Sequence, residues 1–268
     1  MGIGSELVPI VTSGDRGASP AGTTAGVKGL FVAEIVRALQ QGEIDLAVHS
    51  AKDLPADDPE GVLVAAIPER ASPFDVLVSR EPTLQPGATV GSSSLRRRGQ
   101  LLRTRPYDML EVRGNVDTRL RKMEEGQVDG LVLAAAGLAR LGVNPVHTET
   151  LAPDEMVPAP GQGALAVQAR ADAACREAVA RLDHRPSRLA FEAERWLVRR
   201  LGGGCSLPLG ALATTHDGRI DLVAVVVTPD GSRFSRAEAT SDAPERVAGE
   251  VAELLAAQGA REILQENG

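Results

Sequence analysis

The chain has 268 residues, of which 43% are hydrophobic, 24% are charged and only 2% are aromatic, and its net charge is −7. This length allows two or three domains with a core of Ala, Val and Leu. The negative charge argues against nucleic acid or an anionic membrane as a partner, and no apolar run is long enough to span a bilayer. Two cysteines and no export signal predict a reducing cytoplasm, although a Cys175–Cys205 disulfide stays open.

The first elements alternate between helix and strand. Apolar residues at helical spacing predict a helix over residues 30–41, and residues 44–48 and 62–67 have the pattern of buried strands. The run 68–73 contains Pro, Glu, Arg and Ser, which is typical of a connection between domains.

The middle of the chain repeats this alternation. Strands are predicted at 75–79, 88–91, 109–112 and 130–134, with helices beginning at Leu95, near Asn115 and near Gly137. The alternation predicts a parallel, doubly wound sheet, whose ligands bind beyond the carboxyl ends of the strands. Polar residues fall at those ends, in the runs 49–53, 92–94 and 113–115.

A second connection and a third unit follow. The Pro- and Gly-rich run 157–163 leads into a strand at 164–169, so the chain is expected to return to its first domain. A helix at 187–201, strands at 209–214, 219–228 and 232–239 separated by Asp-Gly turns, and an amphipathic segment at 244–258 predict a C-terminal α+β domain with a three-stranded antiparallel sheet. The predicted domains are 1–68 with 164–182, then 72–158, and finally 186–268.

Two local features indicate chemistry. Residues 96–122 contain eight arginines and one lysine against three acids, which indicates a local anion site in an acidic chain. Cys205 follows three glycines that leave its thiol open to a large group, whereas Cys175 lies at helical spacing and fits an apolar filler. The four histidines have no metal-ligand spacing, so no metal is predicted.

Seven motifs in order resemble the porphobilinogen deaminase family, also called hydroxymethylbilane synthases. They are the runs 28–31 (KGLF), 48–55 (VHSAKDLP), 90–97 (VGSSSLRR), 113–119 (RGNVDTR), 136–141 (AGLARL), 160–164 (PGQGA) and 203–208 (GGCSLP). The resemblance implies a cytoplasmic, monomeric transferase of tetrapyrrole synthesis that joins four porphobilinogen molecules head to tail with release of ammonia. It also implies two doubly wound lobes like those of type II periplasmic binding proteins, joined by two crossings.

The resemblance further assigns the site residues. A dipyrromethane cofactor would be held in thioether linkage by Cys205, and Asp53 would be the catalytic acid, stabilising positive charge on the pyrrole nitrogen as ammonia leaves. Basic, hydroxyl and small residues would bind the cofactor, namely Lys52, Ser93, Ser94, Arg96, Arg97, Arg113 and Gly137. Substrate would be bound by Arg113, Arg119, Arg140, Lys28 and Phe31, although the spacing of Phe31 also fits core packing.

Relative to the family pattern, the chain is expected to lack a first strand and helix before Glu6. Two alternatives to an active deaminase therefore stay open: an inactive shortened deaminase, and a non-catalytic two-lobed protein that binds a carboxylate. A cysteine-dependent amide hydrolase ranks last, because no histidine motif accompanies Cys205.

Overall fold

The computed structural model describes residues 4–10, 27–202 and 207–267, with the side chains of 27–31 excepted. Its helices and strands form three units, each built on one sheet. The predicted alternation of elements in the first two units, and the antiparallel third unit, are confirmed.

The first lobe contains helix α1 (Val27–Gln41), strands β1 (Leu46–Ser50) and β2 (Val62–Ala66), and the later strand β8 (Leu165–Arg170) and helix α5 (Arg176–Ala180). A short 3-10 turn, Ala51–Asp53, follows β1. The strand order is β1-β8-β2, so the chain does return to this lobe after the second connection. Both pairings are antiparallel, which corrects the expectation of a parallel sheet for the described strands here.

The second lobe carries strands β3 (Asp75–Ser79), β4 (Thr89–Gly91), β5 (Asp108–Leu110), β6 (Gly130–Ala134) and β7 (His147–Thr150). Its helices are α2 (Leu95–Thr104), α3 (Val116–Glu124) and α4 (Ala135–Leu141). The strand order is β5-β4-β6-β3-β7. Strands β4, β5 and β6 are parallel, as predicted, whereas β3 is antiparallel to both β6 and β7. The sheet is therefore mixed, because β3 enters from the connection between lobes rather than through a crossover helix.

The C-terminal unit begins with helix α6 (Arg185–Arg200) and continues through strands β9 (Leu209–His216), β10 (Arg219–Val227) and β11 (Phe234–Ser241). Two helices follow, α7 (Pro244–Ala256) and α8 (Ala260–Asn267). The predicted hairpin between β9 and β10 is present, with Asp217 and Gly218 both at positive φ. Two details differ from the sequence prediction: α8 is a separate helix, and in the first lobe the partly buried Cys175 stands at the residue before α5 rather than within that helix.

The C-terminal unit is attached to both lobes. Phe191 of α6 is buried in the core of the first lobe, together with Val36, Leu39 and Ile67. Against the second lobe, Gly99 of α2 packs so closely on β10 that a Cβ there would lie 2.3 Å from the carbonyl oxygen of Thr228. Glycine is required at this contact because no other residue leaves the helix room to approach.

The two connections between the lobes touch each other beside α6. Ala71 donates a backbone hydrogen bond to the Gly163 oxygen at 3.2 Å. Gly163 has φ +86, and a Cβ there would lie 2.5 Å from the Ala71 oxygen. A side chain would therefore force the two connections apart, in addition to straining the backbone.

Glu194 of α6 ties these connections to the C-terminal unit. Its fully buried carboxylate accepts hydrogen bonds from both terminal nitrogens of Arg70, at 2.7 and 3.2 Å. It also accepts from the backbone nitrogens of Gly161, at 2.6 Å, and Ala213, at 2.7 Å. One side chain thus contacts both connections and strand β9, and these donors satisfy a charge that burial alone would make costly.

We predict that Glu194→Gln lowers the free energy of unfolding by about 3 kcal/mol, because it leaves the Arg70 guanidinium buried without its counter-charge. Urea unfolding would measure the loss. The matched control is Glu192→Gln on the same helix, whose carboxylate is 40% exposed and lies 3.6 Å from Arg188. This control should cost less than about 0.5 kcal/mol. Equal losses for the two variants would contradict the role assigned to Glu194.

Candidate active site

A cavity of about 220 Å³ lies where the two lobes meet the C-terminal unit. The segment after β1, the start of α2, the second connection, α6 and the start of β9 all line it. Helix α6 contributes the charged Arg195 as well as apolar side chains. Its polar lining residues, called the polar wall below, include Lys52, Ser94, Arg96, Arg97 and Gln162, and its apolar lining residues include Leu54, Phe191, Val198, Leu207 and Leu209.

The segment after β1 reaches the cavity because of how the strand ends. Ala51 donates to the Ala164 oxygen at 3.0 Å, which fixes the 3-10 turn against the second connection. Gly161 packs against the same turn, since a Cβ at this position would lie 2.9 Å from the backbone nitrogen of Lys52. Lys52 lies on the cavity wall, and Asp53 is partly buried at the end of the turn, between wall residues Lys52 and Leu54.

The start of α2 supplies hydroxyl and guanidinium groups. Ser94 caps the helix, and its side chain accepts from the Arg97 nitrogen at 3.5 Å. Ser93 precedes the cap and is partly buried. Arg96 and Arg97 are both buried, 3% and 7% exposed, which is unusual for two adjacent arginines. Such burial requires a nearby acceptor for each of them.

Asp75, the first residue of β3, is that acceptor. One carboxylate oxygen accepts from Arg96 Nη1 at 2.7 Å, and the other accepts from Arg97 Nε and Nη2 at 3.0 and 2.7 Å. Burial by itself would raise the pKa of Asp75, but the two guanidiniums outweigh it and hold that pKa well below its usual value. Asp75 therefore stays ionised and fixes both arginines beside the cavity. Sequence reasoning missed it, because Asp75 lies more than twenty positions before the two arginines and in a different element.

Gln162 extends this group to the first lobe. Its Nε2 donates to the Pro73 oxygen at 2.8 Å and to Asp75 Oδ1 at 2.9 Å, while its Oε1 accepts from Lys52 Nζ at 3.4 Å. The backbone oxygen of Gln162 accepts from Arg70 Nε at 2.8 Å. Gln162 lies inside one of the seven motifs, but its side chain was not predicted to have a role.

The remaining predicted arginines lie in three different environments. Arg119 of α3 is partly buried, and burial together with the nearby Arg97 lowers its pKa. It forms no ion pair with an acid in the part of the chain that the structure describes, although its Nε donates to the Gly114 oxygen at 2.7 Å. Arg113 is exposed and paired with Glu111. Arg140 donates to the Gly163 oxygen at 2.7 Å, so it contacts the second connection.

Arg97 and Arg119 thus bring two positive charges close to each other. The positive charge of Arg97 adds to burial in disfavouring the charged form of Arg119, which lowers the pKa of Arg119. A bound anion between them would remove this repulsion, and carboxylates fit the planar donor fork of arginine. The arrangement therefore favours a ligand that carries carboxylate groups.

Several predicted residues receive no such support. A Cβ on Gly137 would meet nothing closer than Val116 Cγ2, at 3.9 Å, so packing does not explain a glycine there. The backbones of Lys28 and Phe31 belong to α1, but their side chains lie outside the described residues, as does all of Cys205. His49 is buried at the end of β1, and burial lowers its pKa.

The described residues contain neither a metal-binding cluster nor a membrane-spanning helix. Within them, no three His, Cys, Asp or Glu side chains lie close enough together to hold a metal ion. None of their helices has the length and apolarity required to cross a lipid bilayer.

Comparison with known proteins identifies the class of this molecule. Residues 2–177 match the family model for the dipyrromethane cofactor-binding domain of porphobilinogen deaminase. Residues 188–257 match the family model for the C-terminal domain of porphobilinogen deaminase. The chain is thus a transferase with a cofactor-binding region and a separate C-terminal domain. It belongs to the porphobilinogen deaminase family.

Individual relatives agree with this assignment. A porphobilinogen deaminase of Desulforudis audaxviator is 48% identical over 95% of this chain and 85% of its own length. One of Thermus thermophilus is 46% identical over 97% of this chain and 85% of its own length. Among solved structures, the periplasmic aliphatic sulphonate-binding protein of Escherichia coli has a TM-score of 0.36 at 16% identity, covering 62% of this chain and 56% of its own. A likeness that weak shows neither fold nor ligand.

We predict that Asp75→Asn changes how stability depends on pH. The folded-state pKa of Asp75 lies below its unfolded value of about 3.9, so its contribution is present above about pH 4 and is lost as pH falls towards the folded-state pKa. Asp75→Asn should lower stability at neutral pH by about 3 kcal/mol and flatten the loss below about pH 4.

Urea unfolding at pH 7, 4 and 3 measures both effects. Asp108→Asn, at an exposed position on β5, serves as the control and should reproduce the pH dependence of the unchanged protein. A pH profile of Asp75→Asn parallel to that of the control would contradict the assignment.

Proposed function

We propose that the cavity between the lobes and α6 is where this porphobilinogen deaminase binds its dipyrromethane cofactor and the growing tetrapyrrole. The enzyme joins four porphobilinogen molecules stepwise and head to tail, with release of ammonia, to give linear hydroxymethylbilane. The observation that carries this proposal is that the lining of one cavity combines the cationic Lys52, Arg96 and Arg97 with apolar side chains such as Phe191 and Leu209. The non-catalytic binding alternative is not favoured, because the relatives are named as deaminases.

The residues present fit the cofactor. A dipyrromethane has two apolar ring faces and several carboxylates, so it needs one apolar surface and several fixed cations. The bound cofactor supplies the primer onto which porphobilinogen units are added. Cys205 is proposed to hold it through a thioether, and the wall residue Leu207 lies two positions beyond that cysteine.

The cations are proposed to bind the side-chain carboxylates of the cofactor and substrate. Asp75 takes part of the donor set of Arg96 and Arg97, and this keeps the two guanidiniums immobile at the cavity wall. Immobile donors cost little reorganisation when an anion binds. Lys52, Ser93, Ser94 and Gly137 are proposed as further cofactor contacts, and Arg113, Arg119, Arg140, Lys28 and Phe31 as substrate contacts.

Asp53 is proposed as the catalytic residue. As ammonia leaves porphobilinogen, positive charge develops and is shared with the pyrrole nitrogen. A carboxylate fixed beside that N–H stabilises the transition state more than the substrate. Its place at the end of a turn held by Ala51 and Gly161 supports the proposal, because this backbone has little freedom to move.

The assembly and location of the enzyme are also proposals. A monomer in the cytoplasm is proposed on the resemblance to the family, and a chain with only two cysteines fits a reducing compartment. We keep the domain limits 1–68 with 164–182, 72–158 and 186–268, and the return of β8 to the sheet of β1 and β2 supports the split first domain.

We predict that the protein, produced in cells that make porphobilinogen, carries a covalent adduct of two pyrrole rings that is absent in Cys205→Ser. Intact-mass measurement detects it directly. Cys175→Ser is the matched control and should keep the adduct, because Cys175 lies at the start of α5, in a different unit from the residues after α6. An unmodified protein, or an adduct that survives Cys205→Ser, would rule out the proposed attachment.

We predict that Asp53→Asn keeps the adduct and lowers kcat by at least about 100-fold, because the amide cannot offset positive charge on the pyrrole nitrogen. Stopped-time measurement of hydroxymethylbilane, with intact mass on the same sample, tests this. The control is Asp57→Asn, four residues on, whose side chain is 84% exposed. A near-normal kcat for Asp53→Asn would remove the residue from the chemistry.

We predict that Arg119→Leu raises the KM for porphobilinogen about tenfold or more, because it removes a cation that has no acidic partner among the described residues. Steady-state kinetics measures the change. Arg121→Leu provides the control on the same helix, since Arg121 is 67% exposed and lies 3.7 Å from Glu125. Similar KM values for the two variants would show that Arg119 does not bind the substrate.

A further inference from the structure

The side chain of Gln162 has no role in the proposed reaction as described so far. It is a buried glutamine, 1% exposed, in the second connection, and it reaches three partners that belong to different parts of the fold. Pro73 lies in the first connection, Asp75 begins the sheet of the second lobe, and Lys52 follows β1 in the first lobe. Its amide therefore bridges the lobes at the polar wall of the cavity.

The orientation of this amide is fixed by its strong acceptors. The Pro73 oxygen, at 2.8 Å, and the ionised Asp75 carboxylate, at 2.9 Å, can only accept hydrogen bonds. The NH2 end of Gln162 must therefore face them, and the carbonyl end must face the opposite way. That direction leads to Lys52 Nζ, 3.4 Å from Oε1. The charge of Asp75 thus determines which end of the amide is presented to the lysine.

The geometry points to Gln162 as a positioning residue that holds the Lys52 ammonium at the cavity wall and makes its position depend on Asp75 of the second lobe. This inference rests on the proposed role of the cavity. The same carboxylate fixes Arg96 and Arg97 directly, so the cations of both lobes are held in one arrangement through Asp75. A ligand carboxylate then meets lysine and arginine donors whose spacing is already set, which reduces the ordering that binding requires.

A second buried glutamine provides the matched control. Gln100 of α2 is 2% exposed and bonds the same connection, with its Nε2 3.0 Å from the Val157 oxygen and its Oε1 2.8 Å from the Val157 nitrogen. No hydrogen bond joins it to Lys52 or Asp75 within the described residues. Gln100→Met therefore removes a buried amide of equal size from this region without touching the proposed link.

The test uses the reactivity of lysine side chains in the purified holoenzyme. The chain contains three lysines, Lys28, Lys52 and Lys122, so each can be followed on its own peptide. The native protein is acetylated with a trace of light acetic anhydride, then unfolded and acetylated fully with heavy reagent. The light fraction at each lysine, measured by mass spectrometry, reports how far the folded structure protects that amine. This readout requires no turnover.

We expect Gln162→Met to raise the light fraction at Lys52 about fivefold or more while Lys122 stays unchanged, because the ammonium loses an oriented acceptor. Gln100→Met should leave Lys52 as it is in the unchanged protein. An unchanged Lys52 in Gln162→Met, or an equal rise in Gln100→Met, overturns the inference. So does native protein in which Lys52 reacts as readily as after unfolding, a result that needs no variant to fold.

Kinetics supplies the second readout. Gln162→Met should raise the KM for porphobilinogen about tenfold and change kcat by less than about threefold, because Lys52 holds carboxylates that are present before and during the reaction. A loss confined to kcat overturns the positioning role. If the unchanged protein does not turn over porphobilinogen, the proposed function fails, and the labelling result still decides the link between Gln162 and Lys52.

Discussion

Asp75 accepts hydrogen bonds from two adjacent arginines and a glutamine while it is completely removed from solvent. A carboxylate in that position would be unstable without these donors, and the arginines would be equally unstable without the carboxylate. The group therefore forms as a unit when β3, α2 and the second connection come together. The polar wall of the cavity exists because this unit is complete, so packing of the second lobe and preparation of the binding site are the same event.

Glu194 is a second buried carboxylate whose charge is balanced by donors from the connections. Its carboxylate is satisfied by Arg70 from one connection, Gly161 from the other and Ala213 from β9. The C-terminal unit consequently holds the point where the lobes meet, in addition to carrying Cys205. A cofactor attached to that unit and bound between the lobes would keep its position relative to the junction of the two connections. Such a fixed attachment suits a site in which a chain lengthens step by step.

Local patterns in the sequence predicted most elements, because helical spacing, short apolar runs and Asp-Gly turns depend on neighbouring residues. They could not predict that β3 runs antiparallel to β6, since strand direction depends on partners far along the chain. The arginines of α2 were identified as anion ligands, but their sharing with Asp75 was missed because it joins residues about twenty positions apart in different elements. Gln162 was missed for the same reason, because an amide in a turn has no distinctive local pattern.

The close contact at Gly163 has a mechanical consequence. The two connections are joined there by the backbone hydrogen bond between Ala71 and Gly163, and beside it by the bonds from Arg70 to the Gln162 oxygen and from Gln162 to the Pro73 oxygen. Any relative motion of the lobes that keeps these contacts would therefore have to be a small rotation about them. In such a rotation, the displacement of an atom grows with its distance from the rotation axis. A rotation too small to disturb residues 161–163 would therefore still widen the outer rim of the cleft. Arg140 of the second lobe donates to the Gly163 oxygen, so its guanidinium would lie close to this axis and would move little.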